Sequence, residues 1–313
     1  IVDHGQPGDG EDVLELRVVL AQRAPAGGDP VPGRLAAFDF HHAFAVRGNS
    51  VEARPLPRAG EALHALKLRY VREAMEEVLR QAQRSKPSYS HFLRDLLSRE
   101  LEDKRRRTIA NRIQHCGLTD YWALETFPWH IQKSLARHRK AIEELAELDF
   151  LDRGESVVFV GKAGVGKSGL ASGILLKALF AGRTARCITA QNLFEEFEHS
   201  QADRSTKRLL KRLSSVDLLL VEEFGYVQAK STSQVNQLFR LIDNRASRKS
   251  TIMTTNLGFE EWGGFLGEKP LTAALLSRLL QRCHVLPVEG VNLRDPAYKL
   301  PARAPKPPLS AAS

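Results

Sequence analysis

Residues 161–168 read GKAGVGKS, and no other stretch constrains the fold of this chain so tightly. The pattern is G-x-x-x-x-G-K-[ST], a loop whose backbone N–H groups turn inward around an anion. Such a loop needs a strand before it and a helix after it. The run before it, SVVFV at 156–160, is short, apolar and β-branched, as a strand buried on both faces is. The run after it, 169–182, keeps helical spacing and closes on Gly182. Gly161, Gly164 and Gly166 permit the tight turn, and the helix start adds the positive end of its dipole. Gly161, Lys162, Ala163, Gly164, Val165, Gly166, Lys167, Ser168 and Gly169 therefore form the candidate phosphate cradle. Lys167 is placed to reach the β- and γ-phosphates, and Ser168 to hold Mg²⁺. The alternative is a chance glycine-rich turn, and the flanking strand and helix count against it.

Downstream, strands and helices alternate. Strands are expected at 185–189, 216–221, 250–254 and 284–288, and helices at 191–199, 206–213, 231–245 and 271–282. That rhythm means an α/β fold, a parallel sheet between helical layers. The strand DLLLV ends in Glu222 and Glu223. Acids at the C-terminal end of a parallel strand face the ligand crevice. Glu222 is placed to bind Mg²⁺ through water and Glu223 to polarise an attacking water; two surface acids opening a loop are the alternative. Asn256 follows the strand TIMTT and either holds that water or caps a turn with Gly258. Arg278 shares a helix with Leu275, Leu276, Leu279 and Leu280. It is an ordinary surface charge or, in a ring of copies, reaches a neighbour's site.

The front of the chain has a different texture. Residues 1–58 are rich in Pro and Gly and are expected to be a disordered extension. The chain opens on Ile1 and its first methionine is Met75, so an upstream-extended reading frame and a genuine arm both stand. Residues 59–116 read as a small helical domain, with one helix through 63–79 and a second capped by Ser88 or Ser90. The second carries Lys104, Arg105, Arg106 and Arg107, either a phosphate-binding run or a face neutralised by Glu100, Glu102 and Asp103. Residues 117–130 are an aromatic linker in which Trp122, Phe127 and Trp129 serve as packing anchors. A helix is expected from 131 to 148, opening a nucleotide-binding domain that runs to 295, and residues 296–313 form a Pro-rich disordered tail.

The formal net charge of +9 favours a polyanionic partner, nucleic acid before membrane. Three cysteines, far apart, form neither a disulfide framework nor a zinc spacing and suit a reducing cytoplasm. No apolar run approaches the roughly 20 residues of a membrane span, and no signal peptide is visible.

In order, the segments VFVGKAGVGKSGLA, DLLLVEEFGYV, MTTNLGFEEWGGFLGE, LLSRLLQRCHVL and VNLRD resemble the IstB-like transposition helper ATPases. These belong to the AAA+ branch of the DnaC-type helicase loaders. The resemblance covers roughly residues 60–295, including the helical front. It implies an AAA+ ATPase that takes ATP and Mg²⁺, assembles in ATP-dependent rings or filaments on double-stranded DNA, and recruits a partner transposase. It implies Lys167 and Ser168 at the phosphates and metal, Glu223 as the catalytic glutamate, Asn256 as first sensor and Arg278 as arginine finger. It also implies Arg294 as second-sensor arginine, the stretch near Phe127 beside adenine, and Lys207, Arg208, Lys211 and Arg212 facing nucleic acid. One departure matters: the family usually has Asp where this chain has Glu222. The extra methylene moves the carboxylate by about 1.3 Å, and Mg²⁺ geometry is strict, so slowed hydrolysis is expected. A DnaC-like helicase loader, or a nucleotide-gated DNA scaffold with little hydrolysis, are the alternatives.

Overall fold

The computed structural model describes residues 57–298. In chain order it has α1 (Pro57–Ala65), α2 (Arg69–Ser85), α3 (Tyr89–His115), α4 (Ala136–Ala146), α5 (Asp149–Asp152) and β1 (Ser156–Val160). Then come α6 (Lys167–Phe180), β2 (Ala185–Thr189), α7 (Ala190–Ala202), α8 (Thr206–Ser215) and β3 (Leu218–Phe224). The last elements are α9 (Thr232–Arg245), β4 (Ser250–Thr255), α10 (Trp262–Leu266), α11 (Lys269–Leu280) and β5 (Cys283–Pro287).

All strand pairs are parallel, in the order β2-β3-β4-β1-β5, with β3 and β4 inserted between β1 and β2. The inner strands β1, β3 and β4 are buried on both faces, and β1 and β3 read as apolar runs for that reason, while the edge strands β2 and β5 are partly exposed. Val157 and Phe159 enter one core with α4 and α6, while Val158 enters the other with α7, α8, α9, α10 and α11. Leu218 and Leu220 of β3 join the first core, and Leu219 and Val221 the second. This is the sheet between helical layers that the alternation predicts.

Several local expectations change. The helix expected through 63–79 is two helices. Lys67, at φ 57°, ends α1 in a left-handed turn closed by Leu68 N–H to the Leu63 carbonyl and Lys67 N–H to the His64 carbonyl. That is a Schellman ending with lysine where glycine is usual, so the sequence carries no break signal. Ser88, not Ser90, caps α3 by accepting from His91 N–H at 3.3 Å. Residues 131 and 132 close a turn on the Pro128 carbonyl, so the helix expected from 131 starts at Ala136. β3 starts later than expected, after Asp217 turns its side chain to Thr184 and Lys249, and it runs on through both acids because Glu222 still pairs with Thr189 and Phe224 with Thr255. The other boundaries shift by a few residues, as element ends do. The expected extension over 1–58 and tail over 296–313 fall almost entirely outside the described residues.

The three front helices have their own small core around Val71, Val78 and Leu96. α3 outruns it: its Ile113 and the Cys116 that ends it belong to the core under β1, and Arg112 donates to the carbonyls of Gly182 and Arg183. Buried Glu100 accepts from Val71 N–H at 3.0 Å, capping an α2 whose own N-cap, Leu68, supplies no side chain. Among the described residues, no helix is long and apolar enough to cross a membrane.

Candidate active site

A cavity of about 440 Å³ opens at the C-terminal edge of the sheet, where β1 passes into α6. The loop there turns as the glycines allow. Gly164 and Gly166 have φ of 78° and 104°. A Cβ on Gly164 would lie 1.8 Å from Asn292 Oδ1, and one on Gly166 would lie 2.9 Å from the Phe127 ring. Space and handedness therefore both demand glycine. The loop delivers the first N–H groups of α6, which have no partner within the helix, to the cavity.

Lys167 is 8% exposed and folds back over the loop, donating to the carbonyls of Gly161 and Lys162 at 2.7 Å each. Burial, and then the nearby Arg294 charge, pull its pKa down to about 8. An anionic phosphate would reverse both effects by pairing with the ammonium.

The acids at the end of β3 diverge because of a bulge. Val221 pairs with Met253 and Phe224 with Thr255, so β3 spends three steps where β4 spends two. The irregularity falls on Glu222 and Glu223, and Glu223 takes a φ of 58°. Such a bulge re-aims side chains. Glu223 lines the cavity, its N–H held at 3.1 Å by Thr254 Oγ1. Glu222 turns inward instead, beside the Ser168 hydroxyl and the Cys187 thiol. Burial pushes its pKa up against the lowering effect of those two hydrogen bonds. Its Oε1 is buried without a partner. A hydroxyl and a carboxylate with a spare oxygen are hard donors suited to Mg²⁺, which typically takes one or two carboxylates and completes its shell with phosphates and water.

Of the residues singled out from sequence, Ala163, Gly164, Gly166, Lys167, Ser168, Gly169, Glu223 and Arg294 line this one cavity. Val165 is buried behind the loop. Glu222 stands behind Ser168. Asn256 lies outside the lining: a Cβ on Gly225 would lie 2.7 Å from its Oδ1, which is buried and unpaired. Arg278 also lies outside it, half exposed on α11 and paired with Asp243 at 2.9 Å. Arg107 bonds Asp103 at 2.7 Å and Glu100 at 3.3 Å, both within α3, as in the alternative of a face neutralised by neighbouring acids. Lys104, Arg105 and Arg106 remain exposed. On α8, Lys207, Arg208, Lys211 and Arg212 are all exposed, and Arg212 pairs at 2.7 Å with Glu196, which also holds Arg186.

Other residues went unassigned in the sequence. Asp120, Tyr226 and Thr254 line the cavity, and so do Trp122 and Phe127, read from the residues as packing anchors although the resemblance set the stretch near Phe127 beside adenine. Buried Gln132 donates to the carbonyls of Val165 and Val291 and accepts from Val291 N–H at 3.1 Å. It ties the phosphate loop to the segment that carries Arg294. The only local sign of Thr254 was a hydroxyl at the end of a buried strand; Gln132 gave none.

A phosphate loop leading from β1, two acids at the tip of β3 and the parallel five-stranded sheet between helical layers define a P-loop nucleotide-binding domain. Comparison with known proteins narrows the class. The family profile described as IstB-like ATP binding protein matches residues 61–299. A protein named for ATP binding in insertion sequence IS21 of Pseudomonas aeruginosa is 31% identical over 74% of this chain and 86% of its own length. Its counterpart in IS5376 of Geobacillus stearothermophilus is also 31% identical, over 76% of this chain and 93% of its own. A solved DnaC helicase loader overlaps 49% of this chain and 89% of its own, with 21% identity and a TM-score of 0.42. The chain belongs to the family of IstB-like ATP-binding proteins.

Proposed function

We propose that this protein is an ATP-dependent, DNA-binding transposition helper. It assembles on double-stranded DNA in the cytoplasm, recruits or stimulates a partner transposase, and cycles by ATP hydrolysis. The observation that carries the reading is the bulge that turns Glu223 into the cavity holding Lys167 and Ser168. A nucleotide cradle and a carboxylate free to orient water meet there, as phosphoryl transfer to water requires. Relatives named for ATP binding in insertion sequences support the transposition setting.

In this reading the loop amides and Lys167 hold the phosphates, while Trp122 and Phe127 wall the base. Ser168 and Glu222 would hold Mg²⁺, which would neutralise charge on the β- and γ-phosphates. Glu223 accepts the proton of the attacking water, and Arg294 closes over the phosphates from the C-terminal segment. Asn256, whose Oδ1 is buried and unpaired beside Gly225, serves as the sensor of the attacking water or the γ-phosphate. Arg278 acts in a neighbouring copy of the assembly. Lys207, Arg208 and Lys211, with Lys104, Arg105 and Arg106, supply the cationic surface for DNA.

The test is ATP-dependent assembly on duplex DNA by wild type and Lys167→Ala. The reading predicts assembly with ATP in wild type and none in the variant; equal assembly would remove the nucleotide from the switch. The inward turn of Glu222 favours a second reading, a nucleotide-gated scaffold that hydrolyses little. Faster turnover in Glu222→Asp than in wild type would show that the native glutamate restrains the cycle.

A further inference from the structure

The geometry points to Cys187 as the positioning residue that seats Glu222 against Ser168, offsetting the methylene by which Glu222 exceeds an aspartate. This rests on the reading above that Mg²⁺ and nucleotide meet at Ser168.

In the β2–β3 ladder Cys187 stands opposite Leu220 and Thr189 opposite Glu222. Cys187 and Glu222 are therefore diagonal neighbours on one face, and the glutamate can lean back along the strand to the thiol. It does so: Cys187 Sγ lies 3.6 Å from Glu222 Oε2, within the reach of an S–H donor. The tether engages Oε2, while Oε1 is buried without a partner and the Ser168 hydroxyl lies beside the same carboxylate. An aspartate at this position would place its carboxylate nearer its own backbone and farther from the thiol.

Cys187 is itself held in place. It is 5% exposed among Leu218, Leu220 and Cys116. Its N–H donates to the Cys116 carbonyl at 2.5 Å, where α3 ends. The residue after Cys116, Gly117, has φ 90°, and a Cβ there would lie 2.3 Å from the Cys187 carbonyl oxygen. The close approach of α3's end to β2 thus fixes the thiol from behind. A buried thiol pressed on a carboxylate donates its one proton there and adds no second charge.

The experiment titrates Mg²⁺ against binding of a fluorescent ATP analogue to the full chain, read by anisotropy. Cys187→Val removes the donor at similar volume and should raise the Mg²⁺ needed for half-maximal binding about three- to tenfold. Cys187→Ala is the second donor-free variant if valine disturbs the strand. Cys187→Ser keeps an O–H donor and should stay within about twofold of wild type. In a Glu222→Asp background, where the carboxylate falls short of residue 187, Cys187→Val should have little effect. An unchanged Mg²⁺ requirement in Cys187→Val, or an equal shift in both backgrounds, overturns the positioning role. Wild type that binds the analogue without any Mg²⁺ dependence overturns the metal reading on which it rests.

Discussion

Lys167 shows how much one residue's surroundings decide. Its ammonium has left water for two loop carbonyls, and burial followed by Arg294 repulsion brings its pKa down to about 8. A base with a lowered pKa is partly neutral just above that value, and a bound phosphate restores the charge. Nucleotide binding above pH 8 should therefore take up a proton, and affinity should fall as pH rises through that range. Calorimetry in two buffers of different ionisation enthalpy reads the uptake; equal heats would refute it. Gln132 makes a separate prediction at this scale. Gln132→Leu leaves the Val165 and Val291 carbonyls and the Val291 N–H without their partner. Buried groups so abandoned cost roughly 1–3 kcal/mol. Urea unfolding should show a loss of that size, and nucleotide affinity should drop with it.

At the scale of elements, Asp217 joins three starting points: the turn before β2, the start of β3 and the start of β4. It accepts from the Thr184 N–H and hydroxyl at 2.9 and 2.7 Å and from Lys249 at 2.5 Å. Burial pushes its pKa up, but those hydrogen bonds prevail and hold it near 2. A carboxylate whose folded pKa is depressed adds stability that is complete above its unfolded value and vanishes as pH falls through the folded one. A shift of nearly two units corresponds to about 2 kcal/mol. Asp217→Asn should cost about that much at neutral pH, and the difference should close between about pH 4 and pH 2. Denaturant midpoints measured across that window check it; a constant difference would mean the loss is packing alone.

Elements also show what the sequence displayed and what it hid. β1 has the limits that its apolar run suggests, because a strand covered on both faces carries its burial in composition. The phosphate loop was legible because only glycine satisfies its handedness and its close approaches. The break at Lys67 was not, since lysine in a left-handed turn looks like any helical lysine. Nor was the bulge at Glu222 and Glu223, because a register shift exists only relative to β4. Gln132 acts on partners 33 and 159 positions away, a distance no local pattern encodes. The charge runs were legible as charge but not by role. Arg107 and Arg212 are engaged in ion pairs with Asp103, Glu100 and Glu196, while no ion pair holds Lys207, Arg208 or Lys211 among the described residues.

At the scale of the whole molecule, the net charge of +9 becomes a claim about surfaces. Each phosphate that a side chain no longer neutralises should lower the salt slope of DNA binding by about 0.9. Reversing Lys207, Arg208 and Lys211 together should therefore flatten that slope by up to roughly 3. An unaltered slope would move the DNA interface to Lys104, Arg105 and Arg106 on α3. The front helices reach the nucleotide layer through α3, whose end at Cys116 binds β2 beside Glu222, so one continuous helix joins an exposed cationic run to the candidate metal site.

The central claim is that the cavity under Lys167 and Glu223 hydrolyses ATP in response to DNA. Steady-state phosphate release with and without duplex DNA, for wild type and Glu223→Gln, tests it most directly. DNA-stimulated turnover is expected in wild type, with a loss of at least about a hundredfold in Glu223→Gln and nucleotide binding retained. Equal turnover in the two proteins, or none in wild type on DNA, would contradict it.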